Sequence, residues 1–115
     1  MKIYNQTANG KIYKCSKCNK IHLEYHNLYF EFNKKEFAHF ANYILLLNGT
    51  KWENKNKNSF INRKIIVPIN HDNFKITLHN YELLELKNLL SHKTDYKDEM
   101  LNEILKNFNN KFTLN

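Results

Sequence analysis

Between Ile21 and Phe32 the chain alternates apolar and polar residues with little room for any structure but a β-hairpin. Ile21, Leu23 and Tyr25 fall on one side, with His22, Glu24 and His26 on the other; after His26-Asn27 the alternation resumes as Leu28, Phe30 and Phe32, with Tyr29 and Glu31 opposite. A period of two places alternate side chains on opposite faces of a sheet. A two-residue turn at His26-Asn27 then pairs Tyr25 with Leu28, Leu23 with Phe30, and Ile21 with Phe32, so that all six lie on one buried face. Asn27 tolerates the positive φ that such turns need more readily than His26 does.

The hairpin runs into a helix. Asn33 is followed three places on by Glu36, the spacing of a capping box, and Phe37, Phe40, Ala41, Ile44 and Leu45 recur at helical intervals up to Gly49, read as the stop. This predicts a helix over 34–47. Upstream, residues 1–10 read as a loose lead-in ending in an Asn9-Gly10 turn, 11–15 as a short strand, and 15–19 as a tight turn. Downstream, 48–62 reads as a polar Asn/Lys-rich loop with Trp52 and Phe60 as anchors. Strands are expected at 64–69 and 73–78, and Pro68 in the first marks an edge or a bulge. A Leu-rich helix follows over 80–93, capped by His79 or Asn80, with Leu83, Leu86, Leu89 and Leu90 on its buried stripe. A last helix is expected over 95–108.

Displacing the first half by 46 residues lays its apolar skeleton on the second. Ile21, Leu23 and Tyr25 fall on Val67, Ile69 and His71; the turn falls on Asp72-Asn73; Leu28, Phe30 and Phe32 fall on Phe74, Ile76 and Leu78; Phe37, Phe40 and Ile44 fall on Leu83, Leu86 and Leu90. The reading is a ββα unit used twice. The fold class expected is therefore α+β in a single domain over 1–115: a first unit (11–48), a loop (49–62), a second unit (63–93) and a C-terminal helix. The two units would build one antiparallel sheet of four or five strands with helices on one face.

Composition narrows the function classes. The longest apolar run, 43–47, is far short of the roughly 20 residues that a membrane span needs. The N-terminus lacks the apolar stretch of a secretory signal. Two cysteines spaced Cys15-x-x-Cys18 then point to a reducing cytoplasm and not to a disulfide framework. The net charge of +7 suggests nucleic acid, and the bases gather in 2–20 and 51–64. Only Arg63 among the 18 basic residues is arginine, and Asn occurs 20 times, a bias that AT-rich codons produce. Selection for forks to phosphates and base edges would favour Arg.

The best candidate for chemistry is the Cys15-Cys18 turn. Two thiolates on a tight turn form half of a tetrahedral zinc site. His22 and His26 complete a linear Cys/Cys/His/His pattern, yet on an extended strand they stand roughly 13 Å apart. One ion takes Cys15, Cys18 and His22 only if the turn curls back. The alternatives are inert turn thiols, a metal shared between two chains, or a redox dithiol. The last lacks the helix N-terminus that activates such thiols, although Lys14, Lys17 and Lys20 favour a thiolate. The six histidines (22, 26, 39, 71, 79 and 92) are otherwise scattered, with a shared cluster of His22, His71 and His79 left open. Glu24 and Glu31, outward on neighbouring strands, only superficially resemble a carboxylate pair, since exposed cross-strand Glu is common. Tyr13, Tyr29 and Trp52 near the basic segments could stack single-stranded bases. No phosphate loop, nucleophile elbow or metalloprotease motif is present, so no catalytic residue is assigned.

The order of a Cys-x-x-Cys turn, IHLEYHNLYFEF, EFAHF, a second strand pair and LLELKNLL resembles a family of small uncharacterised bacterial proteins of the domain-of-unknown-function kind, over residues 11–92. The resemblance implies a cytoplasmic bacterial protein and transfers no functional residue. The function expected is a non-catalytic binding or adaptor module, with zinc held structurally at Cys15, Cys18 and His22. Its partner would be another protein or a second copy. The rival is a nucleic-acid-binding protein using segments 2–20 and 51–64.

Overall fold

The computed structural model describes residues 1–69 and 71–91, residue 71 by its backbone only. Along the chain run β1 (Lys2–Thr7), β2 (Gly10–Lys14), β3 (Ile21–Tyr25), β4 (Leu28–Phe32), α1 (Lys34–Leu46), α2 (Gly49–Lys55), β5 (Ile65–Ile69), β6 (His71–Leu78) and α3 (Asn80–Ser91). The fold is α+β, and the order ββα occurs twice, as β3-β4-α1 and β5-β6-α3. The helix expected over 95–108 lies outside the described residues.

The central hairpin has the expected register, with Ile21 opposite Phe32, Leu23 opposite Phe30 and Tyr25 opposite Leu28. Its turn differs in one respect: His26, not Asn27, takes the positive φ, at 53°. The His26 N–H donates to the Asn9 carbonyl at 2.8 Å, which ties this tip to the preceding hairpin. Helix α1 opens with the full capping box. The Glu36 N–H donates to the Asn33 side chain at 2.8 Å, and the Asn33 N–H donates to the Glu36 carboxylate at 2.9 Å.

Four expectations need correction. The lead-in is a strand: β1 pairs antiparallel with β2, giving a sheet ordered β1-β2-β3-β4. Its alternation was hidden by a bulge between Ile3 and Asn5, which buries Tyr4 and Asn5 consecutively. Asn5 is tolerated there because its amide donates to the Leu89 carbonyl at 2.7 Å, and a buried polar group must be paired. Second, β5 and β6 form their own two-stranded sheet and do not extend the first.

Third, the 46-residue offset does not preserve the hairpin register. Val67 faces Ile76 and Ile65 faces Leu78, whereas the offset pairs Val67 with Leu78. The slip is two residues, an even number, so Val67, Ile76 and Leu78 stay on the core side. Strand β6 accordingly runs through Asp72-Asn73, which is no turn, and Phe74 is exposed. The register shift at Pro68/Ile69 matches the expected edge or bulge. Fourth, residues 48–62 are not a plain loop. Asn48 accepts the Lys51 N–H at 3.1 Å and caps the seven-residue α2, of which Gly49 is the first residue. Gly49 is therefore a close-approach residue and not a helix stop: a Cβ there would stand 2.0 Å from Asn80 Oδ1. Trp52 packs against the core as expected, but Phe60 is fully exposed and anchors nothing.

Helix α3 joins the parts. Leu83, Leu86, Leu89 and Leu90 are buried as expected, and the helix lies against β1, β2, β6, α1 and α2. His79 is its cap residue, and its N–H donates to Glu82 Oε1 at 2.7 Å. The Tyr25 hydroxyl donates to the Glu82 carbonyl at 2.8 Å, so α3 covers the sheet face that carries Ile12, Leu23 and Tyr25. The opposite face, with Tyr13, His22, Glu24, Tyr29 and Glu31, is left for other uses.

Gly10 sits where β2 passes under α3. A Cβ there would meet the Glu24 carbonyl oxygen at 2.7 Å and Leu89 Cδ2 at 2.8 Å. Backbone cannot give way as a flexible side chain can, so Gly10→Ala is expected to destabilise the protein by about 1–3 kcal/mol. Urea denaturation would show a lower midpoint with an unchanged slope. An unchanged midpoint would mean that the sheet and α3 separate more easily than this contact implies.

Candidate metal centre

Strands β2 and β3 pair as Tyr13 with His22 and Lys14 with Ile21. The six residues between Lys14 and Ile21 must therefore reverse within a tight loop. The loop closes by two backbone hydrogen bonds, Cys15 N–H to the Lys20 carbonyl and Asn19 N–H to the Cys15 carbonyl, both 3.2 Å. Asn19 takes a positive φ of 54°, the conformation its short polar side chain allows most readily among non-glycine residues. The turn thus curls back over the start of β3, the condition on which a shared Cys15, Cys18 and His22 site depended.

The three ligand atoms of Cys15, Cys18 and His22 all lie within 4.8 Å of one another, close enough to hold one metal ion. Cys18 Sγ is 3.3 Å from His22 Nε2. Backbone N–H groups of Cys18 and Lys17 point at the Cys15 sulfur. With the Cys18 thiol, they hold the Cys15 thiol below its ordinary pKa against the opposing effect of burial. A sulfur wrapped by backbone donors is prepared to be a thiolate, the form that binds metal. Both cysteines are free thiols, Cys18 exposed and Cys15 half-buried.

His22 is fixed from both sides. The residue is 6% exposed although its side chain projects from the face turned away from the core. The Tyr13 ring stacks on it at 4.9 Å and 3° between planes, and the Tyr29 ring lies at 5.8 Å. The Tyr29 hydroxyl donates to Glu31 Oε1 at 3.1 Å, so its oxygen is left to accept from His22 Nδ1, 2.7 Å away. The network therefore assigns the proton to Nδ1 and leaves the Nε2 lone pair aimed at the cysteine turn. Burial and the Glu31 hydrogen bond hold the Tyr29 phenol above its ordinary pKa. The Tyr13 phenol is raised likewise, chiefly by its 2.7 Å hydrogen bond to Glu24.

Glu24 and Glu31 thus each accept from a tyrosine that packs on His22, and they do not act as a carboxylate pair. Of the other histidines, His26 lies at the far end of the hairpin with Nε2 4.0 Å from Glu82 Oε2. His79 caps α3 and stacks on Tyr81, and His39 is exposed on α1. None of these joins the cluster. The side chain of His71 and all of His92 lie outside the described residues.

A model of a family of unknown function, DUF6686, matches residues 1–115. The chain belongs to that family. The resemblance read over 11–92 thus extends along the whole DUF6686 match. Neither the curated proteins nor the solved structures contain a match. Among the described residues of this DUF6686 chain, no helix is long and apolar enough to cross a membrane.

Sequence reasoning named the three residues that the structure brings together and missed their supports. The signal for Tyr13 and Tyr29 was present in the pairing itself, since Tyr13 stands opposite His22 across β2 and β3. Partners that orient a ligating histidine typically change metal affinity 10–100-fold when removed. Tyr29→Phe is therefore expected to weaken metal binding by about that factor while leaving the melt of the metal-free chain unchanged. Competition against a chromophoric chelator measures it; an unaltered affinity would show that Tyr29 does not set the ring of His22.

Proposed function

We propose that this chain is a cytoplasmic binding or adaptor module in which Cys15, Cys18 and His22 hold a zinc ion that stiffens the end of the four-stranded sheet. The observation that carries the reading is the convergence of two turn thiols and a buried, tautomer-fixed imidazole within 4.8 Å. Two soft sulfurs and an imidazole suit zinc far better than calcium or magnesium, which take oxygen ligands. Free thiols agree with a reducing compartment. The partner would be another protein or a second copy of the chain.

Less supports the rival, nucleic-acid reading. Arg63 forks onto Glu82 at 2.8 and 3.4 Å, Lys64 Nζ donates to the Ser59 carbonyl at 2.8 Å, and Lys55 lies over the Trp52 ring at 5.2 Å. The Tyr13 and Tyr29 hydroxyls bond to carboxylates on the same sheet face.

Thermal melting with one equivalent of zinc, and again with excess chelator, tests the proposal. A ligand at a hundred times its Kd stabilises the folded state by about 2.7 kcal/mol. A chain of this size should then melt roughly 10 °C higher with zinc than without. Equal melting in both conditions would set the metal reading aside. Tight, steeply salt-dependent binding to single-stranded DNA would move the assignment to the rival.

A further inference from the structure

The cluster contributes three ligands among the described residues, while zinc in a closed structural site takes four. Their arrangement is one-sided. His22 is buried beneath Tyr13 and Tyr29, Cys15 is half-buried, and Cys18 with residues 16–20 is exposed. Only His22 comes from a strand; the two cysteines sit on the exposed turn, so the cluster is open to solvent on the turn's side. Two thiolates and a neutral imidazole cancel the charge of a divalent ion. The surroundings do not stay neutral: Lys17 adjoins Cys18 and Lys20 lies two residues before His22, both on the exposed turn, and no acidic residue precedes Glu24. Glu24 and Glu31, the acids of this face among the described residues, accept hydrogen bonds from Tyr13 and Tyr29.

Resting on the metal reading, we infer that the fourth position takes an anionic donor from outside the chain: a carboxylate or thiolate, borne by a partner protein's side chain or by a small molecule. A bridging second copy is disfavoured, because it would bring two sets of Lys17 and Lys20 together. Charge selects the donor: a lysine about 10 Å away favours an anion modestly in water, and two together favour it by roughly three- to fivefold at low salt.

The test uses the full chain loaded with cobalt in place of zinc, kept reduced with a phosphine, its visible absorption read while acetate, 2-mercaptoethanol or neutral imidazole is added. Acetate and the thiol are expected to change the ligand-field bands saturably at low ionic strength. A double Lys17→Gln, Lys20→Gln variant should take up the same cobalt but bind both anions about three- to fivefold more weakly, with imidazole unaffected. Failure to take up cobalt at all would remove the metal reading itself. One equivalent of cobalt with a spectrum indifferent to every added donor would instead overturn this inference alone, showing a fourth ligand from within the chain. Half an equivalent with a dimer's mass, or a lysine variant that binds anions as well as the parent, would overturn it equally. A small-molecule source predicts saturation by free acetate or thiol alone, whereas a protein source predicts tighter binding by an Asp- or Cys-containing peptide than by either.

Discussion

Replacing both Cys15 and Cys18 with Ser is expected to abolish metal binding and leave the metal-free fold intact. Serine oxygens are poor zinc ligands at neutral pH, because a hydroxyl does not ionise as a thiol does. His22 alone does not retain the ion. The fold survives because neither sulfur belongs to the core: Cys18 is exposed, Cys15 is half-buried, and the turn is closed by backbone hydrogen bonds that Ser preserves. The double variant should melt like the chelated parent, without zinc's roughly 10 °C increment. Equal metal content in parent and variant would place the ion elsewhere. A variant that fails to fold without metal would mean that the turn bears on the core more than its exposure suggests.

The second large effect is acid destabilisation through Glu82 and Glu85, which fasten α3 to the hairpins. Burial alone would raise the Glu82 carboxyl. The Arg63 hydrogen bond, the His79 N–H and the Arg63 charge outweigh it and hold that carboxyl below its usual range. Glu85 is held below its usual range by the Asn9 side chain at 2.9 Å, against burial, with help from Thr7 at 2.8 Å and the Asn9 N–H at 3.0 Å. A carboxylate with a lowered folded-state pKa contributes stability that is fully present above its unfolded pKa. That contribution is lost as pH falls through the folded value. Stability should therefore be flat near neutrality and drop once pH passes below the ordinary carboxylate range. Hydrogen bonds to charged groups contribute about 1.5–3 kcal/mol each, so Glu82→Gln or Glu85→Gln should cost about that much at pH 7 and flatten the acid limb. Urea midpoints across pH measure both; a parent and variants with parallel acid limbs would contradict this account.

Where burial followed one period, the elements could be read directly from the residues. Ile21 to Phe32 alternates without interruption, and both its register and its buried face are as read. Leu83, Leu86, Leu89 and Leu90 mark the α3 stripe because Leu-rich helices bury at 3–4 spacing. The reading failed where tertiary contact overrode local pattern. The β1 bulge buries Asn5 beside Tyr4, which no alternation shows, and its cost is offset by a carbonyl 84 residues away. Gly49 looks like a stop only until Asn80 is seen against it. The second hairpin keeps Val67, Ile76 and Leu78 inward at a two-residue slip, which residue class alone does not distinguish, and leaves Phe74 exposed. The site was half legible for the same reason: ligand identity is local, but Tyr13 and Tyr29 act across strands, and the curl of the turn depends on Asn19.

The central claim is that Cys15, Cys18 and His22 form one metal centre in each chain. Metal content per chain, measured by elemental analysis on protein purified under reducing conditions with its mass in solution, tests it most directly. The account predicts zinc near one per monomeric chain. Protein that carries no zinc, and takes up none when it is supplied, would contradict it.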